Sequence, residues 1–339
     1  MKKLLTLLCC CVASGLAAEE PKPSVYMVSN AHLDTQWNWD VKTTIDTYVR
    51  NTLYQNLWLL EQNPDYIFNF EGAIKYRWMK EYYPEGYRKI RDFIQQGRWH
   101  ISGASWDVTD PNIPSTESFF RNILLGQEFY KQEFGRKSTD IFLPDCFGFS
   151  YTLPTIATHA GLIGFSTQKL QWRKKPFYGD SKIPFRFGYW QGVDGSRILA
   201  ALDGQGYSKK FSGEDLSCDE ELRKLARNYP GQKGFRYYGT GDIGGSPTPL
   251  SVESVIKGVH GNGPLRIVSA ASDQLFREYL DAEEPDSLPL FNGELLMDVH
   301  ATGCYTSQAA MKLYNRRNEQ LADAAERAAV IADWLGAAP

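Results

Sequence analysis

Apolar residues recur along the chain in short runs separated by longer amphipathic stretches. The runs predict strands at Val25–Ser29, Tyr66–Phe70, Trp99–Ser102, Ile141–Leu143, Gly164–Thr167, Arg197–Leu202, Arg236–Tyr238 and Leu265–Val268. The stretches between many of them predict helices at Thr43–Glu61, Tyr87–Gln96, Ser115–Glu133, Leu216–Asn228, Leu250–Val259 and Ser272–Leu280. Pro114 followed by Ser115-Thr116-Glu117-Ser118 has the chemistry of a helix start. Strands alternating with helices over this length predict a parallel α/β fold, either a barrel or an open sheet. Chemistry then belongs at the C-terminal ends of the strands. After Phe291 the pattern changes. Ser307 to Trp334 is rich in Ala, Arg, Glu and Leu and no strand follows it. That predicts a long helix, read either as a terminal helix docked on the sheet or as one awaiting further helices.

Composition narrows the class. The chain has 339 residues, 42% hydrophobic and 23% charged, which sets aside disorder, collagen and coiled coil. A formal charge of −3 supplies no basic field for nucleic acid or an anionic membrane. Residues 1–17 read as a signal peptide. Lys2 and Lys3 precede an apolar run, Leu4 to Ala13, that is too short to span a bilayer, and Gly15-Leu16-Ala17 offers small residues for cleavage. Export to a bacterial periplasm or cell surface is expected, with no membrane attachment after cleavage. Cys146, Cys218 and Cys304 then remain, without CxxC spacing, so neither a zinc knuckle nor a disulfide framework is indicated.

Four segments at strand ends carry candidate chemistry. Asn30-Ala31-His32-Leu33-Asp34 follows the first strand, and in extended chain His32 and Asp34 face the same way. An imidazole and a carboxylate at that spacing suit zinc; an Asp orienting a His is the plainer reading. Asp145, in Leu143-Pro144-Asp145-Cys146-Phe147-Gly148, ends another strand and is a ligand, a nucleophile, a base or a helix cap. Gly239-Thr240-Gly241-Asp242-Ile243-Gly244-Gly245 lacks the Lys of a phosphate loop, so Asp242 suits hydroxyl binding better. Asp298-Val299-His300, before the last helix, reads most simply as a loop with a cap. Another strand end brings Asp107, Asp110 and Trp106.

Together these segments resemble the catalytic domain of glycoside hydrolase family 38, the α-mannosidases. H-x-D-x-x-W is matched by His32, Asp34 and Trp37, and D-x-F-G-x-S by Asp145, Phe147, Gly148 and Ser150. The acidic glycine turn is matched by Gly241, Asp242, Gly244 and Gly245. W-x-x-x-D-x-N-x-P-x-x-E-S is matched by Trp106, Asp110, Asn112, Pro114, Glu117 and Ser118. G-x-Y-T-S-Q running into K-x-x-N-R-x-x-E is matched from Gly303 to Glu319. The resemblance implies a parallel (β/α)7-type barrel over residues 24–300, and the first helix of a helical bundle over 301–339. It implies one zinc ion on His32, Asp34 and Asp145, with Asp145 also the nucleophile of a retaining reaction on α-mannosyl glycans. Asp298 is the acid/base expected from it, with His300 second and otherwise a substrate contact. Trp37, Trp106, Phe147 and Asp242 would meet the sugar.

Departures bear on these expectations. Asn30 and Phe149 stand where relatives commonly carry His, and Ile243 interrupts the glycine run. One residue too many separates His300 from Gly303. The family's fourth zinc ligand belongs to a segment this chain does not reach, so the 339 residues are expected to be the N-terminal part of a longer enzyme. The rival readings are a glycan-binding fragment without turnover and a metal-dependent polysaccharide deacetylase. The latter wants an H-x-x-x-H pair that this chain lacks. No oligomeric state follows from the sequence.

Overall fold

The computed structural model of the chain describes residues 22–171, 183–202, 206–283, 287–297, 302–305 and 307–337. Among the described residues, ten strands run in the order β1 (Ser24–Ala31), β2 (Phe68–Glu71), β3 (Trp99–Ser102), β4 (Asp140–Phe142), β5 (Gly164–Thr167), β6 (Phe187–Gln191), β7 (Arg197–Leu202), β8 (Lys233–Thr240), β9 (Arg266–Ser269) and β10 (Leu290–Asn292). The α-helices among the described residues are α1 (Val41–Thr43), α2 (Arg50–Gln62), α3 (Ala73–Tyr82), α4 (Pro84–Gln95), α5 (Thr116–Phe134), α6 (Leu153–His159), α7 (Glu220–Arg227), α8 (Pro249–His260), α9 (Gln274–Leu280) and α10 (Ala309–Trp334). A π-helical segment, Thr44–Val49, joins α1 to α2.

Local chemistry sets the helix ends. The Ser115 hydroxyl accepts from Ser118 N at 3.2 Å and caps α5, as its sequence foretells. Gly135, at φ 70°, closes the same helix in a left-handed conformation that Gly adopts without a Cβ penalty. Thr248 caps α8 in the same way, with Pro249 in its first turn.

The strands form two five-stranded sheets. In the first, β1 lies parallel to β8 along its whole length, from Ser24 opposite Lys233 to Ala31 opposite Thr240. β9 and β2 share its other edge, and β3 follows β2, all parallel. Every residue of β1 is buried, as expected of a parallel strand covered on both faces. The second sheet has the order β10-β6-β7-β5-β4. Only the β6–β7 hairpin in it is antiparallel. The larger buried apolar cluster is shared by both sheets, with Phe142, Phe187, Leu199 and Ala201 of the second joining β1, β2, β3, β8 and β9, while a smaller one takes Ile141, Ile198, Ala200 and Leu202 on the second sheet's other face.

The parallel α/β expectation is met. The closed ring implied by the resemblance is not seen as one continuous ladder among the described residues. Where β3 passes β4, contact rests on Ala104 N donating to the Asp140 carbonyl at 3.1 Å and Gly103 N donating to its carboxylate at 3.1 Å. Beyond the sheets, α10 is the long helix foreseen, but no second bundle helix accompanies it among the described residues. None of its side chains is buried. It touches the sheet domain through Glu319, which accepts from Ser115 N at 2.8 Å, and through a two-pronged Arg121–Glu326 ion pair.

Candidate active site at the strand ends

Beyond the C-terminal ends of β1, β3 and β4 a cavity of about 370 Å³ opens. His32, Asp34, Asp107, Asp110, Asp145 and Phe147 line it, with Tyr305 from the segment before α10. Segments far apart in sequence thus bring one imidazole and four carboxylates to a single depression.

His32 is almost wholly buried. Its Nε2 is 3.4 Å from Asp34 Oδ1, and its Nδ1 is 2.9 Å from Glu71 Oε1. Glu71 ends β2 and pairs in turn with Lys75 on α3, Nζ to Oε1 3.5 Å, both side chains buried. Burial alone would lower the His32 pKa, but its hydrogen bonds to Asp34 and Glu71, which accept, outweigh it and raise it to about 10. Burial likewise pushes Glu71 up, yet the positive charge of Lys75 and the contact with His32 take it down to about 2. Glu71 is therefore ionised, and it fixes the imidazole by gripping Nδ1. Glu71 and Lys75 are functional neighbours that sequence reasoning passed over. The signal was present: Glu71 is a carboxylate closing an apolar strand, as Asp145 is.

Asp145 follows β4. Its Oδ1 is held by the ammonium of Lys169, a side chain only 4% exposed that lies just beyond β5. The same ammonium sits 5.0 Å from the centre of the Phe147 ring. Lys169 was not foreseen either, because nothing near it in sequence marks it as a partner of Asp145.

The glycine turn after β8 is zipped to the segment after β1. Asp34 N donates to the Asp242 carbonyl at 2.8 Å, and Gly244 N donates to the His32 carbonyl at 3.1 Å. Asp242 itself adopts φ 61°, an uncommon left-handed geometry for a residue with a Cβ. Its Oδ1 accepts from the Tyr207 hydroxyl at 2.9 Å, and the Tyr207 ring packs edge-on to His32 at 5.7 Å. Burial, then the charges of Asp145, Asp242 and Asp34, drive the Tyr207 pKa up, so the phenol stays protonated and donates. Asn30, at the position where relatives commonly carry His, is buried. It spends its amide on the Tyr207 and Tyr238 carbonyls, and its side-chain oxygen accepts from His32 N.

The other residues singled out in the sequence fall into four groups. Trp37 is 62% exposed and packs edge-on against Trp39, beyond the cavity lining. Trp106 lies in a different depression, its ring against Phe129 at 6.0 Å with the Arg77 guanidinium over it. Asp298 and His300 lie outside the described residues, as does the segment 1–17. Asp107 accepts from Thr35 Oγ1 at 2.8 Å, and burial raises the Asp110 pKa.

The donors present have the right chemistry for a divalent metal: one imidazole nitrogen and two carboxylates. Glu71 on Nδ1 is the outer carboxylate that metal-bound histidines commonly carry, and it leaves Nε2 on the Asp34 side. Among the described residues, no three His, Cys, Asp or Glu side chains are gathered closely enough to hold an ion between them. No described helix is long and apolar enough to cross a membrane.

Comparison with known proteins gives the family. Residues 22–294 match the model for the glycosyl hydrolases family 38 N-terminal domain. The chain is 33% identical to human alpha-mannosidase 2C1 over 313 residues, which is 91% of this chain and 29% of that protein. It is 32% identical to the alpha-mannosidase of Saccharomyces cerevisiae over 305 residues, 87% of this chain and 27% of the relative. The chain therefore spans under a third of the length of these relatives. Among solved structures, an alpha-mannosidase from Enterococcus faecalis V583 superposes with a TM-score of 0.65 at 22% identity, covering 81% of this chain and 31% of that one, and shares its fold. The match over most of the chain, with the strand-end residues in place, makes this chain a member of glycoside hydrolase family 38.

Proposed function

We propose that the chain carries the catalytic centre of a zinc-dependent, retaining α-mannosidase. The observation that supports it best is the placement of His32, Asp34 and Asp145 in one cavity at the strand ends. A retaining glycosidase needs a carboxylate nucleophile and a second group that gives and takes a proton. Asp145 is the nucleophile. Its oxygen bonds to the anomeric carbon as the glycosidic C–O bond breaks, and the departing oxygen takes a proton from the acid. Water then attacks the anomeric carbon, returns a proton to that group, and frees Asp145. The acid/base is assigned to Asp298, with His300 the second choice.

Zinc, when bound by His32, Asp34 and Asp145, supplies a grip on neighbouring sugar hydroxyls and stabilises negative charge there. Asp242, held by Tyr207 and by its own strained backbone, receives a hydroxyl. Phe147 offers a ring face to the sugar. The barrel, the α10 bundle and export from residues 1–17 belong to the same reading.

The test is hydrolysis of an aryl α-mannoside by the full chain. Wild type turns over, and a chelator abolishes the turnover until zinc is restored. Asp145→Asn lowers kcat at least about 10³-fold without unfolding the protein. Glycan binding with no hydrolysis in the zinc-loaded wild type would assign the chain to recognition instead.

A further inference from the structure

We propose that Tyr305 is a specificity-determining residue of this site, its phenol donating a hydrogen bond to one hydroxyl of the bound sugar. The proposal rests on the reading of the cavity as a site for α-mannosides.

Tyr305 belongs to the G-x-Y-T-S-Q stretch, which has no part in the chemistry described above. It ends a short 3₁₀ turn, Thr302–Tyr305, and lines the cavity from the side of α10. Lys312, in the first turn of α10, braces that stretch: its ammonium donates to the Cys304 and Ser307 carbonyls, each at 2.6 Å. The helix thus anchors the turn that carries the ring.

The direction of the phenol's hydrogen bonds follows from its neighbours. Asn112 Nδ2 donates to the Gly148 carbonyl at 2.8 Å and to the Tyr305 oxygen at 2.9 Å. A carbonyl only accepts, so the amide nitrogen, and not the amide oxygen, lies between the two. The phenol oxygen therefore accepts from Asn112, and it accepts again from the backbone N–H of Phe147. With two donors already on the oxygen, its own proton points elsewhere. No described residue receives that proton. Burial, and then the charge of Asp110, push the Tyr305 pKa up, so the proton stays on the oxygen.

Such a donor is scarce in this cavity. His32 directs its ring nitrogens at Glu71 and Asp34, the Thr35 hydroxyl donates to Asp107, and the Thr109 hydroxyl donates to the Asp110 carbonyl. The carboxylates of Asp34, Asp107, Asp110 and Asp145 accept. A sugar hydroxyl brings one proton and two lone pairs, so a wall of acceptors leaves lone pairs unmatched unless a donor stands in it. Tyr305 supplies that donor beside Phe147, the ring that offers its face to the sugar.

The test measures kcat/KM of the full chain and of Tyr305→Phe on an aryl α-mannoside and on the set of its analogues that each lack one hydroxyl. Dividing the two values for each substrate removes the substrate's own reactivity. The loss in Tyr305→Phe is expected to be about tenfold on the parent. It is expected to vanish on a single analogue, the one without the hydroxyl that Tyr305 touches. Asn112→Asp sets an acceptor against the phenol and draws its proton away from the cavity, so it is expected to lose activity on the parent and to be spared on the same analogue. No loss on the parent in Tyr305→Phe overturns the proposal. So does a loss of equal size on every analogue, because a residue that only packs the turn lowers them all alike. Phe keeps the ring, so the melting temperature is expected to be unchanged. If Tyr305→Phe fails to fold, Asn112→Asp decides the matter, and wild-type behaviour in that variant overturns the proposal. Absence of turnover in wild type would sink the assignment of function. The same comparison is then read by calorimetry as Kd for methyl α-mannoside and its analogues, where no binding, or binding that Tyr305→Phe leaves unchanged, overturns this proposal as well.

Discussion

Two acid–lysine pairs flank the cavity, one on each sheet, and they differ in how deeply they are set. Glu71 and Lys75 belong to the first sheet and its following helix, and neither side chain exceeds 1% exposure. Asp145 and Lys169 belong to the second sheet, and Asp145 is 17% exposed. The first pair has no route to substrate except through His32, so its charge is spent on holding a histidine in place. In the second pair Asp145 lines the cavity, so its carboxylate opens onto it while Lys169 stays behind. The contrast separates charges that keep a fold from charges that a fold keeps ready.

The largest expected effect breaks the first pair. Glu71→Ala leaves the Lys75 ammonium buried and unpaired and frees His32 Nδ1, and should cost about 3–5 kcal/mol in urea denaturation. Replacing both residues, as Glu71→Leu with Lys75→Met, should recover much of that loss, because no buried charge then stands alone. A double variant as unstable as the single one would show that the pair does more than cancel charge.

A third buried acid sharpens the comparison. Asp273 accepts from Thr139 Oγ1 at 2.7 Å and from Arg277 Nε at 3.0 Å, with His100 nearby. Burial alone would raise its pKa, but the charge of His100 and the hydrogen bonds from Arg277 and Thr139 hold it below the usual carboxylate value. A depressed folded-state pKa stabilises the protein above the unfolded value of about 4, and that contribution disappears as pH falls through the folded value. Asp273→Asn should therefore destabilise by about 1–2 kcal/mol at neutral pH. The gap to wild type should close below about pH 4. A gap that does not narrow at all as pH falls below about 4 would mean that shape, not charge, is what Asp273 contributes.

The smallest stability effect belongs to the second pair. Lys169→Gln should change unfolding free energy by about 1 kcal/mol or less, since the carboxylate it leaves is partly hydrated. A loss as large as that of Glu71→Ala would erase the distinction between the two pairs.

Much of this architecture was legible along the chain, for identifiable reasons. All eight expected strands are present because parallel strands buried on both faces leave apolar runs that few other elements leave. β6 and β10 escaped notice: β6 contains Gly188 and ends in Gln191, and β10 is three residues long. α3 escaped because Lys75 occupies a fully buried position on it, where periodicity leads one to look for an apolar residue. The site divided in the same way. His32, Asp34 and Asp145 stand out because each interrupts or ends an apolar run. Glu71 could have been read by that rule. Lys169 and Tyr207 could not, since their partners lie 24 and 35 residues away and only the folded chain brings them near. Trp106 shows the opposite error: its motif is in place, yet its ring is used against Phe129 in another depression.

The central position of β1 has a consequence for how the molecule comes to exist. Its longest ladder is with β8, and Ser24 must wait for Lys233 before its first inter-strand bond there can form. During synthesis, eight buried-face residues leave the ribosome well ahead of the strands that will cover them. Pairing of such long reach is slow and exposes an unsatisfied edge while it is pending. The end of β1 that leads to His32 is secured in two stages: Ser29 and Asn30 can meet Phe68 and Asn69 of β2 first, and only β8 completes the cover.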